Sequence, residues 1–282
     1  MKARLKTLPD ELRGGAWPSP ARAVRCPVKS GNERDPRPQL PAGPVGTPGT
    51  LGGLPARSRR KVGATAGQYK EVNPEVIEVP EGSKEILAYL VGVVSGSGKL
   101  EVNRPNIVII DKNEQFIANT IVPYIRRIVG RDPSIAYDKG TKTWRVVVES
   151  IDFWKMLNVE YLIPLGDKSE ILVVPRIISQ GAIKVQKAYI KGWLDVKAHL
   201  KIIKRGTHSY PKLIFKTKSK PIRDFISKRL NTWNITTKSY ARKRFYEFQI
   251  ADCTNLIRYK NIIGFKHPER RKKLNLILRH LC

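Results

Sequence analysis

From about residue 68 onward the apolar residues fall into runs of regular period, and those periods predict alternating helices and strands. Helices are expected near 84–96 and 113–130, strands near 99–103, 106–111, 134–139 and 143–149, and a short helix near 151–157. The order then repeats. A helix near 183–196 leads to strands near 199–205 and 211–217, a helix near 221–231, strands near 234–240 and 243–250, helical turns over 252–263 and a closing helix near 267–280. The repeat is close to 100 residues long, which predicts two copies of one α+β unit packed side by side, over 68–180 and 181–282.

The stretch before residue 68 follows no such pattern. Residues 1 to about 66 hold ten of the twenty prolines and nine glycines, with almost no aromatics. That composition predicts an extension over 1–67 that does not fold alone, either a basic tail adding nonspecific affinity or a dispensable, solvated segment.

Charge narrows the partners. The chain of 282 residues carries a formal net charge of +29, which calls for a polyanion: DNA, RNA or an anionic membrane surface. No window approaches the ~20 apolar residues of a spanning helix, and the start lacks the apolar core of a secretory signal. The two copies share the charge unequally. Residues 84–180 have thirteen Lys and Arg against eleven Asp and Glu, a net of +2; residues 181–282 have twenty-six against five, a net of +21. On a polyanion the second copy is expected to supply most of the electrostatic free energy. The three cysteines, Cys26, Cys253 and Cys282, have no metal-binding spacing, so no zinc is expected. Their odd, sparse count argues against a disulfide framework and for an intracellular, reducing compartment.

Two segments carry the strongest local signal. In the run from Ile86 to Leu100, Ala88, Gly92 and Gly96 are spaced by four and share one helical face; Ala188 and Gly192 repeat the spacing in the second copy. Small residues there let a second backbone approach closely. The first run is similar to the pattern L-A-Y-L-L-G-L-x-x-G-D-G-S-L, the second to A-F-L-R-G-L-F-D-A-E-G-S-V, and Ile263-Gly264-Phe265-Lys266-His267-Pro268-Glu269-Arg270 is similar to a closing I-G-F-x-H-P-E-K/R stretch. All three resemble the LAGLIDADG homing endonuclease family, and the resemblance covers about residues 84 to 280.

The resemblance implies a pair of αββαββα units whose first helices pack at a pseudo-twofold axis, with two sheets forming a saddle on the DNA major groove. It also implies a monomer, and in active members an acidic residue at the C-terminal end of each first helix that binds divalent metal beside the scissile phosphates. Mg²⁺ prefers oxygen ligands, and there it would activate water and neutralise the leaving oxygen. This chain departs from the pattern, because the two acidic positions hold Ser97 and Lys197. A serine is a poor anionic ligand and a lysine repels a cation. Asp195 lies two residues back, about 200° around the helix axis, so it is not expected to substitute. No confident catalytic residue and no metal ligand remain; no cofactor is expected, with Mg²⁺ required only if cleavage is retained. Lys197 and Lys99 either offset the helix macrodipole or, for Lys197, neutralise a phosphate where metal would sit.

Binding residues are better represented. Lys212, Lys216 and Lys218 alternate with Leu213, Phe215 and Thr217, as a sheet with one apolar and one basic face requires. Lys238, Tyr240, Arg242, Arg244 and Tyr246 share one parity in the second hairpin, and Lys201, Arg205 and His208 join the set. A two-stranded ribbon fits the major groove, where Arg and Lys read guanine edges or grip phosphates. The first copy offers Lys99, Arg104, Lys139, Lys142 and Arg145, with Val108 and Ile110 where polar readers would be expected. The leading expectation is a double-stranded DNA-binding protein with cleavage lost or impaired. The alternatives are an RNA-binding maturase assisting intron splicing and an active site-specific endonuclease with an unconventional metal site.

Overall fold

The computed structural model describes residues 82–206 and 208–282. The Pro/Gly-rich extension and residues 68–81 of the first expected unit lie outside the described residues. The chain runs through α1 (Lys84–Ser97), β1 (Lys99–Leu100), β2 (Asn106–Asp111), α2 (Glu114–Phe116), a π-helical turn (Ile117–Ile121), α3 (Val122–Val129), β3 (Ser134–Asp138) and β4 (Thr143–Glu149). Next come α4 (Ile151–Lys155), a second π-helical turn (Met156–Glu160) and α5 (Arg176–Ser179). The order then recurs as α6 (Ile183–Lys197), β5 (His199–Arg205), β6 (His208–Thr217), α7 (Lys220–Thr232), β7 (Lys238–Ala241), β8 (Tyr246–Ala251), α8 (Cys253–Ile262) and α9 (Pro268–Leu281).

The eight strands make two four-stranded antiparallel sheets, ordered β1-β2-β4-β3 and β5-β6-β8-β7. The architecture is therefore α+β, and the second sheet repeats the strand order of the first. Each sheet turns one face to helices because its apolar residues alternate. In the second sheet Leu213, Phe215, Phe248 and Ile250 are fully buried, and Trp193 of α6 lies 6.3 Å from the Phe248 ring. Helix α1 is buried from Leu87 to Gly96, which suits a helix that is apolar around its whole circumference and enclosed on all sides.

Several elements differ from the pattern in the sequence. The helix expected over 113–130 widens at Ile117–Ile121, just before Pro123. Proline lacks the amide for the i−4 bond and its ring crowds that carbonyl, and a widened turn relieves both. The strand expected over 99–103 stops at Leu100, because residues 102–105 bend into a loop. The strand expected at 234 begins at Lys238, since Asn234 adopts φ 58° and the Thr236 amide donates to the Asn255 side chain instead of a neighbouring strand.

Cysteine usage requires a correction. Cys253 and Cys282, with Cα atoms 5.3 Å apart, form a disulfide. An odd count argued against such a bond, but α9 brings the last residue back beside the first residue of α8. That proximity is tertiary, and no local spacing encodes it.

Candidate nucleic-acid interface

Strand register gathers the basic residues. Across the second sheet Lys201 stands opposite Lys212, Arg205 opposite His208, Lys216 opposite Glu247, and Lys238 opposite Gln249, while Tyr240 also faces Glu247. Residues directly opposite one another point to the same side, so Lys201, Arg205, His208, Lys212, Lys216, Lys238 and Tyr240 share the face away from the buried core. All but Lys212 are exposed; Lys212 is half-buried and its Nζ donates to Gln249 Oε1 at 3.2 Å. Among the described residues of that face Glu247 is the one carboxylate, 3.6 Å from Lys216 Nζ. Lys216 is exposed and Glu247 half-buried, and one carboxylate among seven basic or aromatic side chains leaves the face strongly positive.

The remaining predicted residues sit at its border. Lys218 follows β6 and pairs with Glu170 at 3.1 Å. Arg242 and Arg244 lie in the turn between β7 and β8, with the Arg242 guanidinium 5.5 Å from the Tyr240 ring. Tyr246 does not continue their parity. The turn reverses the chain before it, so Tyr246 opens β8 on the helix-facing side, where the Arg223 guanidinium packs on its ring at 4.4 Å. In the first sheet Arg145 pairs with Glu101 at 3.0 Å, and Val108 and Ile110 share its face, so that sheet is much less basic.

The two sheets are coupled through α1 and α6. A Cβ built on Gly92 would lie 2.1 Å from the Tyr189 carbonyl oxygen, and one on Gly192 would lie 2.1 Å from that of Tyr89. The contact is reciprocal, as a pseudo-twofold crossing requires. Ala88 is buried and Ala188 half-buried on the same helices, and Gly96 faces the Val196 side chain.

This crossing sets the two helix C-termini side by side. Ser97 ends α1 with its hydroxyl buried and without a hydrogen-bond partner, and Lys197 ends α6. The carbonyls of both helix ends are already taken by cations. Lys168, 6% exposed, donates from Nζ to Val94 O at 2.6 Å and also to Gly98 O. Arg270 donates to Ala198 O at 2.9 Å, to Val196 O at 3.4 Å and to Asp195 O. Burial, reinforced by the nearby Lys197, pushes the Lys168 ammonium down to about 7, and burial also lowers Lys197.

Asp195 points away from these ends. It is fully buried, accepts from Tyr89 OH at 2.6 Å and from the Lys266 and His267 amides, and burial raises its pKa despite those bonds. Burial also opposes the charge on Asp111. Hydrogen bonds from His267 and from the Asn113 amide outweigh that cost and hold its carboxyl below the usual range. Ser97, Lys168, Lys197 and Arg270 stand at the helix ends, and a hydroxyl with three cations is a donor set that does not suit a divalent cation, which would need carboxylates there.

Sequence reasoning missed Lys168 and Asp111, and gave His267 and Arg270 only as part of the I-G-F-x-H-P-E-R stretch, with no role. Lys168 lies in an irregular segment with no motif, whereas His267 and Arg270 meet Asp111 and the α6 carbonyls through α9, a tertiary contact that no local pattern encodes.

No family model matches the chain. The homing endonuclease I-ApeI of Aeropyrum pernix is 25% identical over 197 residues, spanning 68% of this chain and 86% of that protein. Among solved structures, I-DmoI in complex with DNA and Mn is similar with a TM-score of 0.48 at 20% identity, covering 66% of this chain and 99% of that chain. The N-terminal LAGLIDADG domain of WhiA gives a TM-score of 0.47 at 13% identity, covering 71% of this chain and 92% of that chain.

Proposed function

We propose that this chain, which resembles the LAGLIDADG homing endonucleases, is a double-stranded DNA-binding protein that has lost metal-dependent phosphodiester cleavage. The observation that carries the reading is the outer face of the second sheet, where Lys201, Arg205, His208, Lys212, Lys216, Lys238 and Tyr240 stand together against a single carboxylate. An antiparallel ribbon with that face enters a major groove, where guanidinium and ammonium groups reach guanine edges and phosphates. The reading divides the chain into a Pro/Gly/Arg-rich extension over 1–67 and two units over 68–180 and 181–282, the second holding most of the charge.

The same reading assigns no cleavage step. Phosphodiester hydrolysis in this fold needs carboxylates at the helix ends to hold metal, and Ser97 and Lys197 supply neither charge nor ligand geometry. Fluorescence anisotropy against duplex DNA, single-stranded DNA and structured RNA tests the ligand class, and scission assays with Mg²⁺ or Mn²⁺ test the loss of cleavage. If about five basic groups reach phosphates, log K should fall with log salt at a slope of about −4.5. Preference for structured RNA over duplex, or site-specific cutting with either metal, would overturn the corresponding half of the proposal.

A further inference from the structure

A helix C-terminus carries the negative pole of its macrodipole and unsatisfied carbonyls, so two such ends side by side repel an approaching phosphate. A nucleic acid lying along both sheets brings its backbone toward this junction. Each end is nevertheless covered by a cation from elsewhere in the chain. Lys168 reaches α1 from the irregular segment between β4 and α6, and Arg270 reaches α6 from the first turn of α9. Lys168 is buried and Arg270 half-buried, so neither is a fully solvated side chain.

The α1 end also opens into a cavity of about 600 Å³. Lys99, Lys168, Lys197, Lys216 and Lys218 line it, and Asp167 is its one carboxylate. Ser97 borders it with an unpartnered hydroxyl. Lys216 belongs to the basic sheet face as well, so the cavity is continuous with the proposed interface. Glu247 engages Lys216 and Glu170 engages Lys218, while Lys197 and Lys168, whose Nζ donates to Val94 O and Gly98 O, line the cavity beside them.

We propose that this cavity is a metal-independent phosphate site, in which Lys197 and Lys168 hold one backbone phosphate of the bound duplex where metal would otherwise bridge protein and DNA. The inference rests on the DNA-binding reading above. The charged groups around Lys168 are Lys197 from α6, Lys99 from β1, Lys216 and Lys218 from β6 and its end, and Asp167 beside it in the chain. Burial, reinforced by Lys197 and opposed by Asp167, pushes the Lys168 ammonium down to about 7 and leaves much of its population neutral near pH 7.5, so that anion binding there draws in a proton.

Titration calorimetry of the full chain in EDTA, run at pH 7.5 in two buffers of different ionisation heat, tests this with a 16-base-pair duplex and with inorganic pyrophosphate. Expected for the duplex are tight binding without metal and uptake of up to about three-quarters of a proton, with no uptake by Lys168→Met. Lys197→Met should bind the duplex about tenfold more weakly and lower the salt slope by about one. Duplex binding with no proton uptake, and with Lys197→Met indistinguishable from the unaltered chain, would overturn the site while leaving the DNA-binding reading intact. Proton-linked binding of pyrophosphate with no binding of duplex would keep the phosphate pocket and sink the DNA reading. If Lys168→Met fails to fold, the Lys197→Met affinity and slope decide the matter.

Discussion

Replacing Gly92 or Gly192 by alanine tests the helix crossing at its narrowest point. Two effects oppose each other. Alanine is the better helix former by about 1 kcal/mol, so an uncrowded glycine in either helix would gain stability on substitution. Here the added methyl group would lie 2.1 Å from a backbone carbonyl oxygen of the partner helix, whereas ordinary contact needs more than 3 Å. Neither carbonyl can swing aside, because each belongs to a helix interior, so the axes must separate by about 1 Å. A gap of that size forfeits a quarter to a half of each dispersion contact along the seam, and overpacking costs about 1–3 kcal/mol on top of that. Loss therefore outweighs gain, and each single variant should be less stable by about 3 kcal/mol. Because the two contacts are reciprocal, one separation relieves both. Gly92→Ala with Gly192→Ala should then cost clearly less than the two single losses added together. Urea unfolding followed by circular dichroism measures all three. A single variant as stable as the parent, or strictly additive losses, would refute the reasoning, since either result means the helices are not held at this distance.

Four further outcomes are expected. Asp195→Asn keeps the volume but presents an amide to three donors, so unfolding by urea should show a loss of about 2–3 kcal/mol, and an unchanged midpoint would remove Asp195 from its bridging role. Burial lowers Lys168 from its ordinary value to about 7, so the unfolded chain binds more protons above that pH; stability should rise by roughly 3 kcal/mol between pH 7 and 9.5 relative to Lys168→Met, and parallel profiles of the two proteins would contradict this. The disulfide closes a loop across a sequence separation of 29, for which chain entropy predicts a loss of about 3–4 kcal/mol in Cys282→Ser by thermal unfolding under oxidising conditions; equal stability would show that the bond does not form in solution. Arg205→Ala with Lys201→Ala should weaken duplex binding and shallow the salt slope by about two, whereas Arg104→Ala with Lys142→Ala in the first unit should change the slope less; the reverse ranking would assign the interface to the wrong sheet.

Much of the scaffold is readable from periodicity alone. Apolar runs over 199–205 and 106–111 mark strands whose observed limits are the same; β5 leaves Lys201 and Arg205 to water, whereas in β2 Ile107, Val108 and Ile109 are all buried. Small residues every fourth position mark α1 and α6 as helices that approach closely, a constraint of sterics that a short sequence window already contains. The basic face of the second sheet follows from alternation, with the error confined to the hairpin. Parity counted through Arg244 and Tyr246 fails there, because a turn inserts residues that no strand period registers.

What only the tertiary structure decided lies where distant segments meet. The absence of acids at Ser97 and Lys197 is a sequence observation, but the cations that cover those helix ends are not. Lys168 and Val94 are 74 residues apart, and Arg270 and Asp195 are 75 apart, and nothing local in either segment encodes its partner. The Cys253–Cys282 bond is of the same kind. Patterning determines which side of an element is buried, since that depends on neighbours three or four residues away. Which charge meets which carbonyl depends on how whole elements pack, and that was settled only when α1, α6 and α9 came together.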